Sequence, residues 1–285
     1  MKLCRFVTSQ KETHIGLLAG DDQVLDLSEA GVKSITFFLE AKNAIEQLTT
    51  LSQQKLTRFP LDQIQLLTPV EGQEVWGAGV TYLRSKNARM EESVSSASVY
   101  DRVYNAARPQ LFFKSLPEKV SGPGGPTGIR KDSKWSAPEP ELGLVFNSQG
   151  VIAGYTIGND QSSRDVEGEN VLYQPQAKIY HHSCAIGPYI VIGATEEEAR
   201  AWTIKAKIYR DGGVAFEGES TPNQIKRPFE EFGTYFYRCQ SFPQGAILLS
   251  GTGIVPPDNF TLQAGDRVRI EISGIGVLEN PVIIV

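Results

Sequence analysis

The first part of the chain alternates short apolar runs with turns and then changes its period. Residues 1–28 carry three such runs, which predict a small antiparallel sheet. From Ser34 to about Leu51 the apolar positions recur mostly every three or four residues, which is the spacing of an amphipathic helix. We therefore expect a small N-terminal α/β unit at 1–68, followed by a larger second domain at 69–285.

The remainder of the chain is predicted to be rich in strands, with one helical insertion. Polar and helix-favouring residues dominate 82–107, for which we expect two short helices or a helical lid, and a strand follows at 110–114. Apolar runs at 142–146 and 151–157 flank a turn, and the Asp-Gly-Gly sequence after Tyr209 indicates a hairpin. These patterns predict an α+β fold dominated by a mixed or antiparallel sheet.

Size and charge narrow the class of protein. The chain has 285 residues, a formal net charge of −5 and 40% hydrophobic residues, which is typical of a globular protein. Its lysines and arginines form no cluster of five or more, which argues against a nucleic-acid partner. No apolar run is long enough to cross a bilayer, and the first residues show no signal-peptide pattern. We expect a soluble cytoplasmic protein, with no membrane partner, that acts on a small molecule.

The cysteines predict no disulfide framework. Cys4, Cys184 and Cys239 are odd in number and far apart, which is typical of reduced thiols. Cys184 closely follows His181 and His182, but we interpret it as a buried structural thiol and the two histidines as ordinary polar residues.

Two glutamates at positions i and i+2 suggest a metal site. In Pro138-Glu139-Pro140-Glu141 the prolines favour an extended chain, and in an extended chain both carboxylates lie on one face. Such a pair is unfavourable unless a cation neutralises it or one carboxyl takes up a proton. The following hairpin returns to Asp160, and three carboxylates suit Mg²⁺, Mn²⁺ or Ca²⁺ better than zinc. Spacing alone leaves a second interpretation open, a solvated acidic edge strand.

Several motifs together resemble the fumarylacetoacetate hydrolase family, over about residues 70–285. The segment from Trp135 to Lys178 carries most of the resemblance. The matching pieces are the E-x-E of Glu139 and Glu141, the run Gly154–Asp165, Lys178, Gly79-Val80-Thr81-Tyr82, Phe112-Phe113-Lys114, Ser250-Gly251-Thr252 and Gly274-Ile275-Gly276.

The resemblance carries expectations for the fold and for the metal. It implies a mixed β-sandwich roll of the kind found in this family's C-terminal domain, with the small N-terminal unit attached, and a homodimer. It also implies that Glu139, Glu141 and Asp160 are the metal ligands, with Mg²⁺ as the expected ion and Mn²⁺ or Ca²⁺ as alternatives.

Two departures from the family pattern bear on the reaction. Many members have a histidine shortly after the tyrosine of the lid motif, where it activates water, but here Ser85 stands at that position. Glu167 occupies a position where hydrolytic members commonly have glutamine. The resemblance therefore favours another reaction over hydrolysis of a carbon–carbon bond.

The segments 98–104, 108–114 and 167–178 are similar to those of the 2-keto-3-deoxy-pentonate dehydratase branch of the family. That branch converts 2-keto-3-deoxy-arabinonate or -xylonate to 2,5-dioxopentanoate in oxidative pentose breakdown. A 2-oxo acid can chelate a metal ion, which then stabilises the enolate formed when a C3 proton is removed. The resemblance thus implies a Mg²⁺-dependent hydro-lyase. Other activities of the family remain alternatives: acylpyruvate hydrolysis, oxaloacetate decarboxylation or isomerisation of a hydroxy-dienoate. A protein that kept the fold and binds 2-oxo acids without turnover is a third hypothesis.

The family match suggests roles for further residues. Lys178 and Glu167 are the two candidates for the base, although Lys178 could instead balance the acidic cluster and Glu167 could form a structural ion pair. Arg164 is a further catalytic candidate. The candidates for substrate binding are Tyr82, Lys114, Arg164, Lys178 and Thr252.

Overall fold

The alternating runs near the start of the chain form strands, and the spacing of three and four that follows forms helices. The computed structural model describes residues 1–92 and 97–285. Its N-terminal elements are β1 (Lys2–Val7), β2 (Thr13–Ala19), β3 (Gln23–Asp26), α1 (Thr36–Glu40), α2 (Ala44–Ser52), β4 (Arg58–Pro60) and β5 (Gln65–Leu67).

The prediction of a single helix between Ser34 and Leu51 was wrong, because the structure has two helices there. Helix α1 ends at Glu40, the next residue, Ala41, has an extended backbone, and α2 begins at Ala44. The break lets both helices turn Phe38 and Leu48 into the same buried cluster. Periodicity could not reveal the break because both helices cover one apolar core and keep the same spacing.

The second part of the chain is dominated by strands, as predicted. Residues 93–96 of the expected helical insertion lie outside the described residues. The elements are β6 (Glu74–Gly79), α3 (Leu83–Glu92), α4 (Ala97–Asn105), β7 (Gln110–Ser115), β8 (Thr127–Ile129), β9 (Ser136–Ala137), β10 (Pro140–Phe146), β11 (Ile152–Asp160), β12 (Ser162–Ser163), α5 (Arg164–Glu169), α6 (Gln174–Lys178), β13 (Cys184–Ile192), α7 (Glu196–Arg200), β14 (Ile204–Arg210), β15 (Gly213–Ser220), α8 (Phe229–Phe236), β16 (Ala246–Leu249), β17 (Arg267–Ile272) and β18 (Gly276–Ile284).

Two sheets enclose the main core. The large sheet has the order β4-β3-β2-β1-β13-β11-β10-β16-β6-β7, with β5 paired to β1, and the second has the order β15-β14-β17-β18-β8. Both are mixed, because β16 runs parallel to β6 and β18 runs parallel to β8 while the other pairs are antiparallel. The α+β fold with a mixed sheet is confirmed.

The N-terminal strands extend the large sheet, since β1 pairs with β13 through Leu3 and Ile190. The domain boundary near residue 68 stays a prediction. Cys184 is buried on β13, as expected, and burial raises the pKa of its thiol to about 12. Among residues 1–92 and 97–285, no helix is long and apolar enough to span a membrane.

Candidate metal centre and active site

The hairpin of β10 and β11 brings three carboxylates together, as the sequence predicts. Glu141 lies opposite Gly158 in the register of the two strands, and the amide of Asp160 donates to the carbonyl oxygen of Glu139 at 3.0 Å. All three side chains are buried. One oxygen from each of Glu139, Glu141 and Asp160 can be chosen so that all three lie within 4.8 Å of one another. Three oxygens at this separation can hold one hard divalent ion.

The electrostatics of this cluster favour a bound cation. Burial, together with the charges of Asp160 and Glu139, raises the pKa of Glu141 well above its ordinary value. Lys178 and the amide of Gly251, which donates to Glu141 Oε2 at 2.5 Å, only partly offset this. A divalent ion at the cluster would remove the repulsion that raises this pKa. The donor set therefore fits Mg²⁺.

Lys178, at the end of α6, reaches into the cluster. Its Nζ donates to Glu139 Oε2 at 2.7 Å, to Asp160 Oδ2 at 2.9 Å and to Ser162 Oγ at 2.6 Å. Arg164 Nη1 lies 3.7 Å from Glu139 Oε1. Burial alone would raise the pKa of Asp160, but the ammonium groups of Lys114 and Lys178 outweigh it and lower that pKa.

Lys114 lies behind the three carboxylates and does not line the cavity that they face. Its Nζ is 2.5 Å from Asp160 Oδ1, and it donates to the carbonyl oxygens of Gln161 at 3.0 Å and Lys178 at 2.5 Å. Three protein acceptors therefore surround this fully buried ammonium. This geometry suits a group that positions Asp160 rather than one that touches a ligand.

Replacing Lys114 by methionine should destabilise the protein by about 3–5 kcal/mol, because it removes one of the two buried ammonium groups that balance the charge of Asp160. Denaturant unfolding in the absence of divalent ions measures the loss. The matched control is Lys119→Met, an exposed lysine five residues on, which should change the unfolding free energy by less than about 0.5 kcal/mol. Equal stability of the two variants would contradict the structural role of Lys114.

Most of the other candidate site residues line the cavity in front of the carboxylates. Arg164, Glu167, Lys178 and Thr252 line it together with the three carboxylates. Thr252 Oγ also accepts from the amide of Ile254 at 3.1 Å. Ser85, which stands where the family resemblance implies a histidine in many members, lines the cavity and donates to the carbonyl oxygen of Tyr82 at 2.9 Å.

Tyr82 is not among the residues that line the cavity. It is buried in the main core, and burial, followed by the charge of Glu141, raises the pKa of its hydroxyl. A side chain at Gly253 would collide with its ring, which explains the glycine at that position. Tyr82 thus supports the Ser250–Gly253 turn from behind.

Sequence reasoning missed several residues that line the cavity: Tyr100, Gln110, Phe112 and Gln174. For two of them the sequence does contain a signal, the pair of glycines Gly77 and Gly79 on β6. Gly79 pairs with Gln110 and Gly77 pairs with Phe112, and a Cβ on either glycine would lie within 2.4 Å of the partner's side chain. Because neither glycine has a side chain, Gln110 and Phe112 can lie across β6 towards the carboxylate cluster.

Comparison with known proteins places the chain in a family. The sequence profile of the fumarylacetoacetate (FAA) hydrolase C-terminal family matches residues 74–283. The chain belongs to this family. The resemblance found in the sequence is thereby confirmed.

Two relatives of this chain, and one protein of similar structure, are named as dehydratases. The chain is 46% identical over 214 residues to the probable 2-keto-3-deoxyxylonate dehydratase of Haloferax volcanii, covering 75% of this chain and 73% of the relative. It is 38% identical over 287 residues to the 2-dehydro-3-deoxy-D-arabinonate dehydratase of Saccharolobus solfataricus, covering 99% and 96%. The solved structure of 2-keto-3-deoxy-D-arabinonate dehydratase complexed with magnesium and 2,5-dioxopentanoate has a TM-score of 0.82 at 33% identity, covering 100% of this chain and 99% of that one.

Proposed function

We propose that this protein is a Mg²⁺-dependent hydro-lyase that dehydrates a 2-keto-3-deoxypentonate, either the arabinonate or the xylonate, to 2,5-dioxopentanoate. The observation that carries the proposal is the buried carboxylate triad, found in a chain that matches a dehydratase complexed with magnesium and 2,5-dioxopentanoate over its full length. Among the described residues, the lining of the cavity contains no histidine that could activate water for hydrolysis.

The charge of the site suits an anionic 2-oxo acid. Four carboxylates and three cations leave one net negative charge on these seven side chains: Glu139, Glu141, Asp160, Glu167, Lys114, Arg164 and Lys178. A divalent ion converts this to one positive charge, which a substrate carboxylate balances. When bound, the ion acts as a Lewis acid that makes the proton beside the keto group more acidic.

We propose that Glu139, Glu141 and Asp160 hold the ion and that the remaining polar side chains handle substrate and protons. Lys178 donates to three acceptors, so its nitrogen has no lone pair left to accept a proton. Of the two candidates for the base, this geometry favours Glu167, whose buried side chain lines the same cavity. Lys178 and Arg164 then stabilise negative charge that develops on the substrate.

The direct test supplies the purified protein with Mg²⁺ and each C4 epimer of 2-keto-3-deoxypentonate. We expect 2,5-dioxopentanoate to form from at least one epimer, with activity lost on chelation and restored by Mg²⁺. NMR identifies the product. Absence of turnover on both epimers, or cleavage of an acylpyruvate at a higher rate, would reject the dehydratase assignment.

We further propose that the protein acts as a homodimer or larger homo-oligomer, in cytoplasmic pentose breakdown. Support for self-association comes from exposed apolar side chains near α6. Leu172 is 79% exposed, and Val171, Tyr173 and Ile179 are also exposed. Apolar patches of this kind are typical of surfaces that a partner covers.

A further inference from the structure

Two helices form one wall of the cavity that contains the carboxylate triad. Ser85 on α3 and Tyr100 on α4 both line it. The helices are joined to each other by an ion pair between Lys86 Nζ and Asp101 Oδ1 at 2.8 Å. Whatever holds this helix pair in place therefore also sets the positions of Ser85 and Tyr100 relative to the metal ligands.

Both ends of the helix pair are attached to one short segment, residues 225–227. At the entry to α3, the amide of Lys226 donates to the carbonyl oxygen of Thr81 at 3.2 Å, and Tyr82 forms a bridge with Ile225. At the exit from α4, the side chains of Lys226 and Arg227 make the contacts. We call Lys226 and Arg227 the clasp.

The clasp binds the C-terminal end of α4 through carbonyl oxygens. Lys226 Nζ donates to the carbonyl oxygen of Tyr104 at 2.9 Å and lies 4.4 Å from the centre of the Tyr104 ring. Arg227 donates to the carbonyl oxygen of Ala107 at 2.9 Å and to that of Ala106. The last carbonyl groups of a helix have no partner within it, and cations are favourable at that end. Here both cations come from a segment about 120 residues away in sequence.

The segment that carries the clasp is itself fixed to the body of the protein. Arg200, on α7, donates to the carbonyl oxygens of Ile225 at 3.0 Å and Arg227 at 2.5 Å. Its guanidinium also stacks over the ring of Phe229 at 4.3 Å. Because the backbone of residues 225–227 is held in this way, the clasp can restrain the movement of α4 relative to the rest of the structure.

We propose that Lys226 and Arg227 are positioning residues that keep α3 and α4 closed over the metal cavity and so slow the escape of a bound 2-oxo acid. Lys226 is exposed and Arg227 is half-buried, so each contact is individually weak and reversible. Several such contacts acting together favour the closed position while still allowing it to open, as the entry of substrate and release of product require. The choice of a 2-oxo acid as ligand rests on the proposed function.

The test compares the double variant Lys226→Ala/Arg227→Ala with Lys205→Ala/Lys207→Ala. The control removes the same two charges from β14, where Lys205 and Lys207 form exposed pairs with glutamates of β15. Hydrogen–deuterium exchange is measured by mass spectrometry with Mg²⁺, both with and without pyruvate. In the clasp variant we expect residues 97–105 to exchange at least about tenfold faster, while β10 and β11 keep the wild-type rate.

Ligand binding supplies the second measurement. The dissociation constant of pyruvate should rise about tenfold in the clasp variant, which corresponds to about 1.4 kcal/mol. Affinity for Mg²⁺ alone should stay within about twofold, because neither clasp residue contacts a carboxylate of the triad. For a substrate that is turned over, KM should rise about tenfold while kcat changes less than about twofold.

The outcomes separate this inference from the proposed function. Unchanged exchange at residues 97–105, or faster exchange spread equally over β10 and β11, would overturn the clasp. Faster exchange at residues 97–105 in the Lys205→Ala/Lys207→Ala control would overturn it as well. A wild-type protein that turns over no pentonate, but whose residues 97–105 depend on the clasp, would reject the proposed function and support the clasp.

Discussion

Replacing Glu141 by glutamine should abolish Mg²⁺ binding in the millimolar range and lower turnover by at least about 10³-fold, since metal Lewis acidity contributes several kcal/mol. The same change should make the metal-free protein more stable. Glu141 is buried beside Glu139 and Asp160, so its charge is opposed by two others until an ion binds. Glutamine keeps the size of the side chain and removes one of the three charges.

The sign of the pH dependence follows from the raised pKa of Glu141, caused by burial and the neighbouring carboxylates. In the unfolded chain this carboxyl titrates near its ordinary pKa of about 4.3. Between that value and the raised one, the folded protein binds more protons than the unfolded chain. The stability of the metal-free protein contributed by this group is therefore greatest below about pH 4.3 and falls as pH rises through that window.

Calorimetric Mg²⁺ titration and denaturant unfolding in chelator at pH 5 and pH 8 measure both effects. The Glu141→Gln protein should lose less stability than the wild type between the two pH values. Glu118→Gln, at an exposed site, serves as the control for removal of one negative charge. Retention of wild-type Mg²⁺ affinity by the Glu141 variant would show that the triad is not the metal site.

Replacing Glu167 by glutamine should lower kcat by about 10²–10³-fold, because the amide cannot accept the C3 proton. Glu167 lines the cavity but is not one of the three clustered carboxylates that could hold a metal ion. Mg²⁺ affinity should therefore stay within about threefold of wild type. The proton-transfer step can be isolated by following exchange of the methyl protons of pyruvate in D₂O by NMR, since this exchange needs no leaving group.

Glu169→Gln is the matched control for that experiment, because Glu169 lies two residues away on the same helix and is exposed. It should exchange pyruvate protons at the wild-type rate. Wild-type exchange by the Glu167 variant, with exchange lost in Lys178→Met, would assign the base to Lys178 instead. Lower unfolding stability without any loss of exchange would identify Glu167 as a structural ion pair.

Much of the local structure could be predicted from the sequence. Short apolar runs separated by turns indicated the first three strands and the strands that became β10 and β11, and the Asp-Gly-Gly sequence indicated the hairpin after Tyr209. The spacing of Thr195 and Glu198 is that of a capping box, and the box forms at the start of α7. These features depend on residues close together in the chain, so local pattern was sufficient for them.

The clustering of the three carboxylates was predictable for a related reason. Glu139 and Glu141 share one strand, and Asp160 lies on the strand that a short turn pairs with it. A hairpin is a local structure, so its register could be anticipated from the turn. The break between α1 and α2 could not be anticipated, because apolar spacing is the same on both sides of it.

By itself, then, the sequence determined the strands, the carboxylates on β10 and β11, and the family to which the motifs belong. The tertiary structure alone decided that Lys114 lies behind Asp160 rather than in the cavity. It also decided that Tyr82 supports a turn, and that residues 225–227 hold both ends of the helix pair. The physical reason is that these contacts join strands and loops far apart in sequence, and spacing along one chain carries no information about which distant backbone a long side chain will reach.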